Sequence, residues 1–201
     1  MKRRILLVCS LVCFLSLFFM GVALAGEYKL SVPHHSQKEL NWCGIAVAQS
    51  WIQYLTGTEY TQIYLYTLYP ETWNGVSAGN LKDILEDRTG KGFQVNDHKS
   101  ESSAFKKIRE ELKEQKRPIA FAGNACKANG TPKTPAKHWM IIEGLNTDKT
   151  NKIFQGAYVD DPLYGSPVAS GYETIRPRTW VKDLFTKWWL PKNGLRQTVD
   201  D

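Results

Sequence analysis

Four residues of the kinds needed to attack a carbonyl carbon follow one another along this chain: Gln37, Cys43, His138 and Asp161. Cys43 lies in "VPHHSQKELNWCGIAVAQSWIQYL", where a polar loop gives way to an apolar run with Ile45, Ala48, Trp51, Ile52 and Leu55 at helical spacing. Unpaired backbone N–H groups at a helix start favour a thiolate, and the thiolate is the nucleophile. The plainer reading of the same position is a small buried cysteine beside Gly and Ala. Six residues earlier, the Gln37 amide could donate to an oxyanion alongside the backbone N–H of Cys43, a kind of contact typically worth about 3 kcal/mol of barrier. Taken alone, Gln37 is a loop residue.

A general base is also needed, and the chain has His34, His35, His98 and His138. Only His138 opens a β-leaning apolar run, "HWMIIEG", whose backbone would hold an imidazole rigidly at a cleft edge. The other three stand in polar surroundings. An imidazole used this way needs an acceptor on its far nitrogen, and "YVDDPLYG" offers two carboxylates. Proline confines the residue before it to extended geometry, so Asp161 has a fixed direction and Asp160 should face the opposite side of the strand. An ordinary Asp-Pro turn is the alternative.

The elements that must position these residues fall into two halves. The apolar run after Asn41 reads as a buried helix stopped by Gly57, with Cys43 in its first turn. "YTQIYLYTLY" and "SAGNLKDILEDRTG" read as two more helices, the second ended by Gly90, and "SSAFKKIREELKEQKRP" as a fourth, capped by serine and ended before Pro118. The period then changes. "PIAFAG", "HWMIIEGL" and "IFQGAYVDDP" are short β-leaning runs bounded by turn residues, which suggests an antiparallel sheet, and "TWVKDLFTKWWL" returns to a helical pattern. Between the first two runs, "GNACKANGTPKTPAK" has the composition of a solvated, mobile loop. Helices first and strands second describe an α+β domain of two lobes.

Composition bounds the setting. Residues 1–25 open with "MKRR", run through "ILLVCSLVCFLSLFFMGV" and reach "ALA", the layout of a secretory signal cleaved after Ala25, with an uncleaved membrane anchor as the alternative because the apolar run is long. From Gly26 to Asp201 the chain has the size of one domain, and a chain that is 42% hydrophobic and 12% aromatic has material for a real core. The formal net charge of +6 includes Lys2, Arg3 and Arg4, so the domain itself is too mildly basic to argue for nucleic acid. Cys9 and Cys13 leave with the signal. Cys43 and Cys126 remain, either paired in an oxidising compartment, closing a long loop, or free. No Cys/His cluster has metal-ligand spacing, and no cofactor is expected.

With these residues in this chain order, the sequence resembles papain-like cysteine peptidases, most closely the exported relatives of the bacteriocin-leader peptidases, the peptidase thirty-nine-like family. "VPHHSQ" resembles the family's Val-Pro opening with its oxyanion glutamine, "WCGIAVAQSWIQYLTG" its nucleophile helix, "KHWMIIEGL" its histidine strand and "VDDPLYG" its aspartate-proline corner; "TWVKDLFTKWW" is similar to the helix that closes such domains. The resemblance runs from about Val32 to Trp189. It implies a papain-like two-lobed α+β fold, with Cys43 on the helical lobe and His138 and Asp161 on the sheet. The long segment before His138, with its basic amphipathic helix, and Cys126 depart from the pattern. A cleft nucleophile is useless when oxidised, so the resemblance favours a free Cys43.

The expected chemistry is acyl transfer to water. His138 takes the proton of Cys43, the thiolate attacks a peptide carbonyl, Gln37 and the Cys43 amide hold the oxyanion, and Asp161 orients His138. Two alternatives share the scaffold: a module that binds peptides without cutting them, and an amidase or transpeptidase acting on cell-wall peptides. Export to the medium or a periplasm follows from the signal. Between Ala25 and Val32 there are too few residues for an inhibitory pro-segment, so a narrow substrate range or a separate inhibitor is expected.

Overall fold

The computed structural model describes residues 26–127, 132–148, 150, 152–182 and 196–201. The signal expected at 1–25 and most of the closing helix expected at 179–190 lie outside the described residues, as does the Cys126 side chain. Among the described residues no helix is long and apolar enough to cross a membrane.

Three helices build the first lobe. Helix α1, Cys43–Thr56, ends where Gly57 adopts φ 72° and returns its N–H to the Gln53 carbonyl at 2.9 Å. Helix α2, Gln62–Leu68, is capped by the Thr61 side chain. Helix α3, Ala78–Thr89, starts at a reciprocal cap between Ser77 and Asn80 and ends at Gly90. Their inward faces form one core with the sheet. Trp51 is fully buried and meets Phe93 edge-on, ring centroids 5.3 Å apart, while Ile45, Ile52, Leu81, Ile84 and Leu85 fill the space beside it. Helix α4, Glu101–Arg109, capped by Ser100, runs on as a wider turn, Glu110–Gln115, and stops at Lys116, which takes φ 59° ahead of Pro118.

Among the described residues the sheet has eight strands: β1 Tyr28–Lys29, β2 Gln94–His98, β3 Ile119–Lys127, β4 Pro132–Thr147, β5 Phe154–Asp160, β6 Tyr172–Glu173, β7 Thr179–Val181 and β8 Arg196–Asp200. Their order is β2-β8-β3-β4-β5-β7, with β1 beside β4 and β6 beside β3, and every pair is antiparallel. The three strands expected from sequence are its centre. The expected α+β architecture holds.

Two expected elements are different. The stretch read as a mobile loop is largely an extension of the β3–β4 hairpin: Asn124 pairs with Lys137 and Cys126 with Pro132, with a register shift between these two pairs. Residues 128–131 lie outside the described part. The segment read as helical from Thr179 begins instead as β7, where Thr179, Trp180 and Val181 pair with Val159, Tyr158 and Ala157 of β5. β-branched and aromatic residues at a sheet edge favour the ladder over the helical pattern.

Candidate active site

Cys43 is the first residue of α1 and only 8% exposed. Trp42, at the cap position, offers no side-chain acceptor, so the N–H groups of the first turn stay available beside the sulfur. The helix is held close by its neighbours. A Cβ on Gly44 would fall 2.4 Å from the Cβ of Val76, and the Val76 carbonyl accepts a 2.7 Å hydrogen bond from the Trp139 indole. The loop before α3, the start of α1 and strand β4 therefore meet at Cys43.

His138 stands one residue before Trp139 on β4, buried, with Cys43 in hydrogen-bond contact. Its Nε2 lies 2.6 Å from Asp161 Oδ1, which leaves Nδ1 for the sulfur. Asp161 is wholly buried just after β5. Its Oδ1 also accepts from the Leu163 N–H and its Oδ2 from the Ile175 N–H, each at 2.9 Å. These backbone donors fix the carboxylate, and the carboxylate fixes the ring. Cys43, His138 and Asp161 are brought together in one place.

Electrostatics follow the geometry. Burial pushes the Cys43 thiol up, but the hydrogen bond and charge of His138, with the Trp139 and Gly44 N–H groups on the sulfur, bring it below the ordinary thiol range. Burial pushes His138 down, and the adjacent Asp161 carboxylate, together with Cys43, more than reverses this and raises it to about 10. Both directions favour a thiolate–imidazolium pair. The Cys43 thiol is free, so the paired alternative does not hold at this residue.

Gln37 is in the cleft but turned inward. It lines the same cavity of about 520 Å³ as Cys43 and His138. Its Nε2 donates to the carbonyls of Glu39 at 2.9 Å and Leu40 at 3.2 Å, engaging both amide hydrogens, while its buried Oε1 has no partner among the described residues. The expected oxyanion donor is therefore engaged in its own loop. Leu40 and Asn41 continue the cleft into a depression of about 470 Å³ walled by Trp42, Tyr66 and Trp73.

The remaining histidines have other partners. His98 is on β2, 3.0 Å from Thr198 Oγ1. His35 Nε2 lies 2.6 Å from Gln53 Oε1. His34 Nδ1 lies 2.5 Å from Asp160 Oδ1, a second His–Asp pair that sequence reasoning passed over. The alternation at Asp160-Asp161 was the available signal: two carboxylates on opposite faces imply two partners. Among the described residues no group of three or more His, Cys, Asp and Glu is arranged for a metal.

The comparisons with known proteins agree with this architecture. The chain is similar in fold to a double glycine motif protease from an AMS/PCAT transporter, solved with a leader peptide (16% identity, 85% of this chain and 91% of that one, TM-score 0.52). It is also similar to UfSP from C. elegans (14% identity, 89% of this chain but 34% of that one, TM-score 0.54). The peptidase domain of Streptococcus ComA, a bifunctional ABC transporter of a quorum-sensing pathway, overlaps less well (18% identity, 86% of this chain and 97% of that one, TM-score 0.49). No curated protein sequence matches. Residues 29–190 match the family model described as the Peptidase_C39 like family, and the chain belongs to that family, with a papain-like α+β fold.

Proposed function

We propose that this chain is an exported cysteine peptidase that hydrolyses peptide bonds through Cys43, His138 and Asp161. One observation carries the reading: sulfur, imidazole and carboxylate form a continuous hydrogen-bonded chain on the wall of an open cleft. The Cys43 thiolate attacks the peptide carbonyl carbon, and the carbonyl electrons move onto oxygen. That oxyanion is held by the N–H groups at the start of α1 and by Gln37, once its longer contact, to the Leu40 carbonyl, is exchanged for substrate. The imidazolium of His138 protonates the departing amine. Water then attacks the thioester, His138 accepts its proton, and the thiolate leaves.

The test is turnover of a fluorogenic peptide library, Gly-Gly sequences included, by the wild-type chain and Cys43→Ala. The variant should lose all turnover and keep its circular dichroism spectrum; undiminished turnover defeats the proposal. The inward-turned Gln37 favours a second reading, a peptide-binding module on the same scaffold. A binder has no reason to activate its thiol, so Cys43 would alkylate no faster than a free cysteine.

A further inference from the structure

We infer that His34 is a positioning residue for this site: bonded to Asp160 and to the Tyr164 carbonyl, its imidazolium clamps the segment that carries Gln37 onto the corner that carries Asp161. The inference rests on the cysteine peptidase reading for its effect on turnover, though not for the clamp itself.

Consider what each nitrogen of His34 meets. Nδ1 faces the Asp160 carboxylate at 2.5 Å, and Nε2 faces the Tyr164 carbonyl at 3.1 Å and Ser36 Oγ at 3.2 Å. Ser36 gives its own proton to the Tyr164 carbonyl at 2.6 Å, so it presents a lone pair to the ring. With Asp160 ionised, every neighbour is an acceptor. A neutral imidazole has one N–H and would leave one contact unmade, whereas the imidazolium satisfies all of them.

The ring is one of several bonds between the same two segments. The Gln37 N–H donates to the Pro162 carbonyl at 2.7 Å, and Ser166 Oγ donates to the Gln37 carbonyl at 2.7 Å. On the other side, Gln62 Nε2 reaches the Ser36 carbonyl and Gln49 Oε1, each at 2.9 Å, and Gln62 Oε1 accepts from the Lys38 N–H. Residues 34–38 thus brace the sheet corner against α1 and α2, and His34 is the charged member of the brace.

The surrounding charges set a pH window. Burial pushes His34 down, but the hydrogen bond and charge of Asp160, the Tyr164 carbonyl and the Asp161 charge more than offset it and raise it. Burial also pushes the Asp160 carboxyl up, with Asp161 adding to this, against the pull of His34 and His35. Glu143 faces Asp160 and is itself faced by Arg178 and Lys29. The clamp is charged on both sides between these two transitions. It is lost in acid when Asp160 takes a proton and in base when His34 loses one.

The test uses the full chain and its variants His34→Gln and Asp160→Asn. In the wild type, nitrogen-15 NMR of the His34 ring should find both nitrogens protonated at neutral pH. Exchange of the Gln37 backbone N–H should be faster in both variants. Turnover should fall by roughly tenfold in kcat with KM little changed, the two losses should not add, and the decline of wild-type kcat that tracks His34 deprotonation should vanish in His34→Gln. Alkylation of Cys43 by iodoacetamide, which needs no oxyanion donor, should stay within about twofold of wild type. A singly protonated ring, unchanged Gln37 exchange, or loss of alkylation in step with turnover overturns the inference. A wild type that hydrolyses nothing yet shows the imidazolium and the exchange change would defeat the peptidase reading and leave the clamp standing.

Discussion

Asp161 carries the proton arithmetic of the site. His138 is buried, and without a carboxylate burial would push its ring below the ordinary imidazole range; with Asp161 at 2.6 Å it is raised to about 10. The raised value means that the imidazolium contributes stability that is fully present below the ordinary imidazole range and is lost as pH rises through about 10. Asp161→Asn should return His138 toward neutrality, lift the Cys43 thiol, and move the alkylation profile of Cys43 to higher pH, with peptide turnover at neutral pH falling by about 100-fold or more. An unmoved alkylation profile would show that Asp161 does not set the ring's charge. The positions of these residues were legible in the sequence because a cysteine at a helix start, a histidine opening an apolar strand and an aspartate locked by proline each have a local signature. The amide orientation of Gln37 has none, since it depends on which carbonyls the folded loop brings within 3.2 Å, and the Asp160-Asp161 alternation signals a second partner without saying that it is His34.

At the level of elements, the position of Cys43 is set by close approach rather than by any side chain of its own. Gly44 follows Cys43, and a methyl group there would sit 2.4 Å from the Val76 Cβ, too near for either to remain. Val76 cannot easily retreat, because its carbonyl holds the Trp139 indole at 2.7 Å. Gly44→Ala should therefore cost about 1–3 kcal/mol, and chemical denaturation should show the loss with an unchanged m-value. It should also impair Cys43 alkylation, because α1 must shift relative to β4; a variant as stable and as reactive as wild type would mean that the loop before α3 is freely displaceable. The helices and central strands could be read from period and caps, since Ser77, Ser100, Gly57 and Gly90 act locally. Strands β1, β2 and β8 could not, because two polar residues such as Tyr28–Lys29, or "QVNDH", become strands only through the partners that β4 and β8 supply. The same dependence on a partner turned Thr179–Val181 from an apparent helix start into an edge strand.

Across the whole molecule, the sheet buries charge as well as apolar side chains. Glu143 is fully buried where β1, β4 and β5 meet, at a register shift between Ile142 and Gly144, and its backbone carbonyl accepts from the Leu30 N–H at 2.7 Å. One carboxylate oxygen is shared by the Val32 N–H at 3.4 Å and Arg178 Nε at 3.8 Å, and the other has no partner among the described residues. Burial, then the charge of Asp160, raises this carboxyl to about 7, against the pull of Arg178. A carboxyl raised by folding holds its proton where the unfolded chain has already released it, so stability falls as pH rises from the ordinary carboxylate range to about 7 and is flat above. Glu143→Gln keeps an acceptor for Val32 and removes the titration. The thermal midpoint of the wild type should drop between pH 5 and pH 7.5, while that of Glu143→Gln should drop less and lie above the wild type at pH 7.5, by several degrees if the difference is about 1 kcal/mol. A variant less stable than wild type at pH 7.5, with the same slope, would instead mean that the Arg178 contact outweighs the cost of burying the charge, and that this junction is held by the ion pair.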